Sequence, residues 1–225
     1  MLGSPYYGVM AELIPFSAAI RDRASGAHSD SEGAGFMSSL LKGELSRDDY
    51  TALVVQHYFI YLALEEATER MRNDPVAARF ISDKLTRIPA LEADLAFLLG
   101  DNWRDDIVAL PATQRYVERI EQVGKTWAGG YVAHHYTRYL GDLSGGIYIG
   151  RVVARQFGFE TNGIGFYLFG DIADPRAFKD VYRTELDEAG WDDDEKERII
   201  TEVLAAYQFN TDIFTELWAE RSVAA

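Results

Sequence analysis

Cysteine is absent from this chain of 225 residues. Disulfides, thiolate nucleophiles, iron–sulfur clusters and cysteine-bound zinc are therefore excluded. Cations are scarce: 22 Lys and Arg face 36 Asp and Glu, a net charge of −14. No broad basic surface can be built from that balance, which argues against nucleic acid and against an anionic membrane surface as partners. Long apolar runs are missing too, with nothing near the roughly 20 residues a membrane span requires. The segment Met1 to Met10 has neither a basic stretch nor a sustained apolar one, so no secretory signal and no membrane anchor are expected. The expected protein is soluble and cytoplasmic.

What is present suits one good core: 48% of the residues are hydrophobic, enough to fill a single domain of this length. The apolar pattern has helical period. Tyr50, Leu53, Val54, His57, Tyr58, Tyr61, Leu64, Thr68 and Met71 recur at three- and four-residue steps and share one face. Ser46 with Asp49 resembles a capping box at the start of that helix, and Asn73-Asp74-Pro75 stops it. Further helices are predicted over Phe16–Ser29, Ala90–Leu99, Pro111–Thr126 and Gly130–Gln156. Asp174-Pro175 opens another to about Ala189, and Asp192 with Glu195 opens a last one to about Trp218. Alternating strand patterns and internal repeats are not found. The glycine-containing stretches Gly100–Asn102 and Phe157–Gly165 read as loops. The expected organisation is a flexible lead over 1–14 and one all-α domain over 15–222.

Two features carry candidate chemistry. His28 is the one histidine of its early helix. A neutral imidazole there can ligate a metal, and its small polar neighbours leave room for a large planar group. The other reading is a surface histidine. The second feature is the run Gly141-Asp142-Leu143-Ser144-Gly145-Gly146, inside an otherwise helical stretch. Each mid-helix glycine costs about 0.5–1 kcal/mol relative to alanine. The run permits a kink, or the close approach of backbone to a ligand face. An ordinary interhelical loop or close helix packing would also use it. A phosphate loop does not fit, because no Gly-Lys-Ser/Thr follows.

Asp142 lies inside the run, where a carboxylate can orient water over a bound ligand or cap a helix. Arg138 precedes it by four residues, so the two are expected to pair. Arg21 stands two helical turns before His28 on the same face. Lys179 and Arg183 share a face with Tyr182. These cations can clamp paired carboxylates by charge-assisted bonds, or simply line a solvated helix.

The segment Tyr136-Thr137-Arg138-Tyr139-Leu140-Gly141-Asp142-Leu143-Ser144-Gly145-Gly146 resembles the signature of the haem oxygenases in their soluble bacterial form. Supporting matches are Phe36-Met37 with Leu41-Lys42-Gly43, Tyr61–Glu66, Leu91–Phe97, Phe166-Tyr167 and Phe178–Arg183, in the family's order from about Phe16 to Leu217.

The resemblance implies a single-domain helical fold gripping haem between a proximal helix with His28 as iron ligand and a distal helix kinked at Gly141 and Gly145. It places Ser31, Glu32 and Met37 on the proximal side and Ser144 with the glycines on the distal side. Arg21, Tyr136, Lys179 and Arg183 are implied to hold the propionates, and Tyr207 and Phe214 to line the pocket from the last helix. Asp142 with Arg138, Tyr61 and Asn210 is implied to organise distal water for proton delivery. The implied activity is oxidative cleavage of haem, both substrate and cofactor, to biliverdin, CO and ferrous iron, with O2 as co-substrate and opening at the α position as the family default. No flavin or nicotinamide motif is visible, so electrons are expected from an external ferredoxin or flavin reductase, docked at the basic rim of Arg21, Lys179 and Arg183. The alternative is a haem-binding or storage protein on the same scaffold. A helical interaction module whose glycines serve packing alone is a more distant reading.

Two departures stand out. Arg21 occupies a place where many relatives have lysine, which keeps the charge and changes the geometry. Gly26 loosens the helix before His28. His57, His134 and His135 are expected on faces away from the pocket, in structural roles.

Overall fold

A computed structural model describes residues 14–33 and 35–224. All regular structure among them is helical. The chain runs through α1 (Phe16–Gly33), α2 (Gly35–Lys42), α3 (Arg47–Met71), α4 (Ile88–Leu99), α5 (Trp103–Asp106), α6 (Pro111–Thr126), α7 (Ala128–His135), α8 (Ile147–Phe157), α9 (Pro175–Asp187) and α10 (Asp193–Ala224). No helix among the described residues is long and apolar enough to cross a membrane. Of the expected lead, all but Ile14 lies outside the described residues.

The helix starts follow from local chemistry. Ser46 and Asp49 form a reciprocal capping box, which satisfies two orphan N–H groups of the first turn of α3. Asp174 accepts from the N–H groups of Arg176 (2.9 Å) and Ala177 (3.0 Å) ahead of Pro175. Asp192 does the same for Glu195 at 2.8 Å. Two expectations on extent are corrected. The first helix continues four residues past Ser29 and the last six past Trp218. Two short helices, α2 and α5, were not expected, because neither is long enough to show a full apolar period.

Long helix α3 is the spine, with α4 and α6 against it, and α10 packs on α1, α6 and α7. The largest fully buried side chains include Trp103, Tyr50, Tyr61, Tyr116, Tyr131 and Tyr139. Aromatic bulk of that kind dominates the energy of such a core.

The helix expected as one piece over Gly130–Gln156 is divided. Between α7 and α8 the chain winds through two π-helical turns, Tyr136–Leu140 and Asp142–Gly146, on either side of Gly141. Such wide turns inside α-helices gather at functional sites. They open the backbone at the centre of the distal stretch.

The turn after α8 is fixed from α4. Asp94, 1% exposed, accepts from the N–H groups of Gly163 (2.8 Å), Gly165 (2.9 Å) and Phe166 (2.8 Å). Gly163 has φ +86°, a region that favours glycine. Burial raises the Asp94 carboxyl above its usual range, and the three N–H groups work against that rise. The turn delivers Phe166 and Tyr167 to the underside of the distal stretch.

Candidate functional site

Two adjoining cavities separate α1 from the distal stretch. One, of about 360 Å³, is lined by Arg21, His28, Tyr136, Gly141, Ser144 and Arg183 among others. The second, of about 130 Å³, is lined by His28, Ser31, Met37, Asp142, Gly145, Tyr207, Asn210 and Phe214 among others. His28, Gly141 and Tyr207 border both, so the two form one continuous slot.

The proximal wall comes from α1 and α2. His28 meets Tyr207 of α10 edge to face, with ring centroids 5.6 Å apart. Ser31 and Met37 are buried beside it. The backbone of Glu32 lies in α1, and its side chain is outside the described residues. No group of three or more His, Asp or Glu able to hold a free metal ion exists among the described residues. A lone imidazole suits a metal that arrives with four ligands of its own, as iron does in a porphyrin.

The distal wall shows what the glycines are for. Gly141 has φ −61° and ψ −50°, ordinary helical values that any residue adopts. Conformational freedom is therefore not the reason for glycine here. A Cβ built on Gly141 would meet nothing within 4 Å, because it would project into the slot. On Gly146 the Cβ would lie 3.4 Å from both Asp142 and Tyr167, so that glycine serves internal packing. A flat group can thus approach the backbone at Gly141, and a side chain would occupy its place. Gly141→Leu is expected to fold at least as stably as the parent, since leucine gains about 0.5–1 kcal/mol in helix propensity. Its affinity for haem should fall more than about tenfold, roughly 1.4 kcal/mol. Haem titration followed at the Soret band measures this, and an unchanged midpoint would dismiss the role assigned to Gly141.

Above that wall lies a polar network. The Tyr61 hydroxyl donates to Asp142 Oδ2 and accepts from Arg138 Nε at 3.2 Å. Arg138 NH1 donates to Asn210 Oδ1 at 2.8 Å. The expected direct pairing of Arg138 with Asp142 is corrected: the Tyr61 hydroxyl stands between them. The π-helical winding removes the regular i,i+4 stacking on which that expectation rested. Burial raises the Asp142 carboxyl above its usual range, opposed by Arg138, the Tyr61 hydrogen bond and Arg87. Burial also works against the Arg138 charge, but Tyr61 and Asp142 outweigh it and the guanidinium stays protonated. Asp142 Oδ2 is engaged, while Oδ1 has no hydrogen-bond partner among the described residues.

At the opposite end, Arg21, Arg183 and Tyr136 face the larger cavity. Burial raises the Tyr136 phenol, and both arginines act on it in the opposite sense, which places the three in one field. Arg183 also pairs with Asp180 at 2.7 Å. Lys179 is set differently: its Nζ donates to Ser144 Oγ (2.8 Å) and Leu143 O (3.3 Å), and it does not line either cavity. It ties α9 to the distal stretch. A flat dianion with an iron centre fits this slot: a nitrogen below, bare backbone above, and cations where carboxylates would emerge.

The other histidines divide. His134 Nε2 meets Glu202 Oε1 at 2.8 Å and His135 Nδ1 meets the Tyr182 hydroxyl at 2.9 Å, both fully buried and away from the slot. The expected placement of His57 away from the pocket is corrected, since it lines the smaller cavity with Asp142. One signal in the sequence pointed there: His57 precedes Tyr61 by four residues and shares its face.

Comparison with known proteins agrees with this geometry. The family model described as Heme oxygenase matches residues 14–216. "Heme oxygenase 1" of the cyanobacterium Synechocystis is 36% identical over 91% of this chain and 85% of its own length. "Heme oxygenase 1" of Nostoc is 38% identical over 85% of this chain and 81% of its own. "Heme oxygenase 1" of Homo sapiens is 38% identical over 89% and 71% respectively. Among solved structures, heme oxygenase-1 from Synechocystis in complex with heme superposes with a TM-score of 0.89 at 36% identity, covering 94% of this chain and 96% of that one. Heme oxygenase from Leptospira interrogans gives 0.86 at 36% identity, covering 90% and 99%. With the slot, the bare glycine backbone and the full-length likeness in agreement, this chain belongs to the heme oxygenase family.

Proposed function

We propose that this protein is a haem oxygenase, which takes up haem as substrate and cofactor together and cleaves it to biliverdin, CO and ferrous iron, with O2 as co-substrate. The carrying observation is the pairing, across one slot, of His28 and bare Gly141 backbone with Asp142 in its Tyr61–Arg138–Asn210 network. Haem storage needs the first half of that pairing and has no use for the second.

The haem iron, once bound, supplies the centre at which O2 is reduced. His28 would hold it as a neutral imidazole ligand, and Tyr207 packs edge-on against that imidazole. Gly141 and Gly145 let the distal backbone lie close over the macrocycle and exclude bulky groups from that face. Arg21, Arg183 and Tyr136 seat the propionates and thereby set the rotation of the ring. Lys179 supports the same wall through Ser144. Ser31, Met37 and Phe214 complete the pocket. Asp142 Oδ1 accepts a hydrogen bond from a water and orients it to pass on protons drawn from solvent towards the distal face, while Tyr61, Arg138 and Asn210 hold the carboxylate in place. The α carbon is the family default for opening, and how Arg21, Tyr136 and Arg183 would seat the propionates sets which carbon is opened.

Electrons come from an external ferredoxin or flavin reductase. Arg21 is exposed at the mouth of the larger cavity, and an acidic donor would meet it first.

The test is a single-turnover spectrum with product analysis. Purified protein should bind one haem and, with reductant under air, exchange its Soret band for a biliverdin absorption with release of CO. A Soret band that persists through repeated reduction under air overturns the oxygenase reading in favour of storage.

A further inference from the structure

The mechanism above leaves two polar side chains of the distal cavity without a task. His57, on α3 one turn before Tyr61, is 7% exposed and borders the cavity with Arg138 and Asp142. Its ring packs on Phe166 at 4.9 Å, yet it makes no hydrogen bond with any described residue, and its Nδ1 is sealed from solvent without a partner. Burial, with Arg138 adding to it, lowers the His57 pKa well below the usual histidine range. The imidazole is neutral, with one nitrogen a donor and the other an acceptor.

Tyr167 is the second. It ends the 3₁₀ turn Gly165–Tyr167 and is 3% exposed. Its ring lies against Gly146 and Gly150; a Cβ on Gly150 would come within 2.7 Å of the Tyr167 Cβ. Two bare positions of the distal stretch thus set where this ring sits. Its hydroxyl makes no hydrogen bond with a described residue and, unlike His57 Nδ1, is not sealed off; burial raises its pKa, so it remains a protonated donor.

Leucine and phenylalanine would fill these two places and leave no polar atom unsatisfied. Nδ1 admits no water, so Nε2 is the nitrogen that meets the cavity; buried polar groups nearly always have a partner, and in a polar cavity that partner is ordered water. The cavity holds about 130 Å³, against about 30 Å³ for one water. The inventory matches as well. A water has two protons and two lone pairs, and the cavity offers a carboxylate oxygen, an imidazole acceptor and a phenol donor.

We propose that His57 and Tyr167 hold an ordered water in the distal cavity that extends the Asp142 network, making His57 a positioning residue for proton delivery. The proposal rests on the haem oxygenase reading of the site. It separates this chain's distal side into two halves: Tyr61, Arg138 and Asn210 hold the carboxylate, and His57 and Tyr167 hold what the carboxylate addresses.

Three variants test it: His57→Leu, His57→Gln and Tyr167→Phe. In haem-free parent protein labelled with ¹⁵N-histidine, His57 should appear as a single neutral tautomer with a magnetisation-transfer contact to slowly exchanging water. Tyr167→Phe should weaken that contact. Thermal melting of His57→Leu, read beside these spectra, shows that a change in them is not a loss of fold. In the haem complex, the pH midpoint of the ferric spectral transition should move in His57→Leu and return towards the parent in His57→Gln. Biliverdin yield per electron should fall about tenfold in His57→Leu and recover in His57→Gln, the scale of other supporting-shell losses. A His57 ring with no water contact overturns the proposal. So does a His57→Leu protein with the parent's pH midpoint and yield. A parent that never converts haem to biliverdin would remove the oxygenase reading instead, and the water site would then be decided by the haem-free ring spectra alone.

Discussion

His28→Ala is expected to lose more than about 99% of haem turnover, since an axial ligand sets whether the iron is reduced and keeps one position open for O2. The structure makes the result sharp. His28 is the histidine that α1 presents to the slot, and it touches Tyr207 across it. Ala24 and Ser25 beside it are too small to substitute or to obstruct. Truncation therefore leaves a space of imidazole size opening on the cavity. Added imidazole should occupy that space and restore a large part of the turnover, with the spectrum of a histidine-ligated haem returning in parallel. Full activity in the variant without imidazole would refute the assignment. A histidine-ligated spectrum surviving in the variant would pass the ligand role to His57, the other histidine lining the slot.

Asp142→Asn should leave haem uptake intact and cut biliverdin formation by about two orders of magnitude, the usual scale for losing a positioned acid–base group. Asparagine is the informative replacement. Its carbonyl still accepts from the Tyr61 hydroxyl, so the Tyr61–Arg138–Asn210 arrangement persists. Its amide donates where Oδ1 accepted, so the distal water is held the wrong way round or lost. Asp142→Ala is harsher, because it leaves the buried Arg138 charge without its nearest carboxylate, and such removals cost several kcal/mol. In both, reducing equivalents should drain into peroxide or into oxidation of an added phenol. Biliverdin yield per electron, measured beside thermal melting, separates the chemical loss from a folding loss. A normal yield from Asp142→Asn would take the carboxylate out of the mechanism.

The two variants also probe opposite faces of one slot. His28 stands on α1 and Asp142 on the distal stretch, so their effects on haem uptake should be largely separate. His28→Ala should lower haem affinity through the lost iron bond, and Asp142→Asn should leave it near the parent value.

The sequence by itself determined the class of fold and most of the wall. Apolar residues at three- and four-residue steps, with Ser46, Asp174 and Asp192 as caps, are local signals: each depends on neighbours within one or two turns. The same holds for the glycine run, whose helix cost demanded an explanation before any partner was known. The site residues His28, Gly141 and Asp142 were legible because each is an unusual residue in its own local setting.

Contacts between distant segments were decided only by the tertiary structure. Whether Arg138 met Asp142 directly depended on π-helical winding and on Tyr61 arriving from α3, 81 residues earlier than Asp142. Lys179 reached Ser144 rather than the cavity because α9 packs along the distal stretch at that height. Whether Gly141 supplied a kink or a bare surface rested on what lay beyond its missing Cβ, which no local pattern encodes. His57 shows the limit most plainly. Its face was readable from its spacing to Tyr61, but a helical face names a direction and not what lies there. Only the meeting of α3 with the turn held by Asp94 put that imidazole over the cavity.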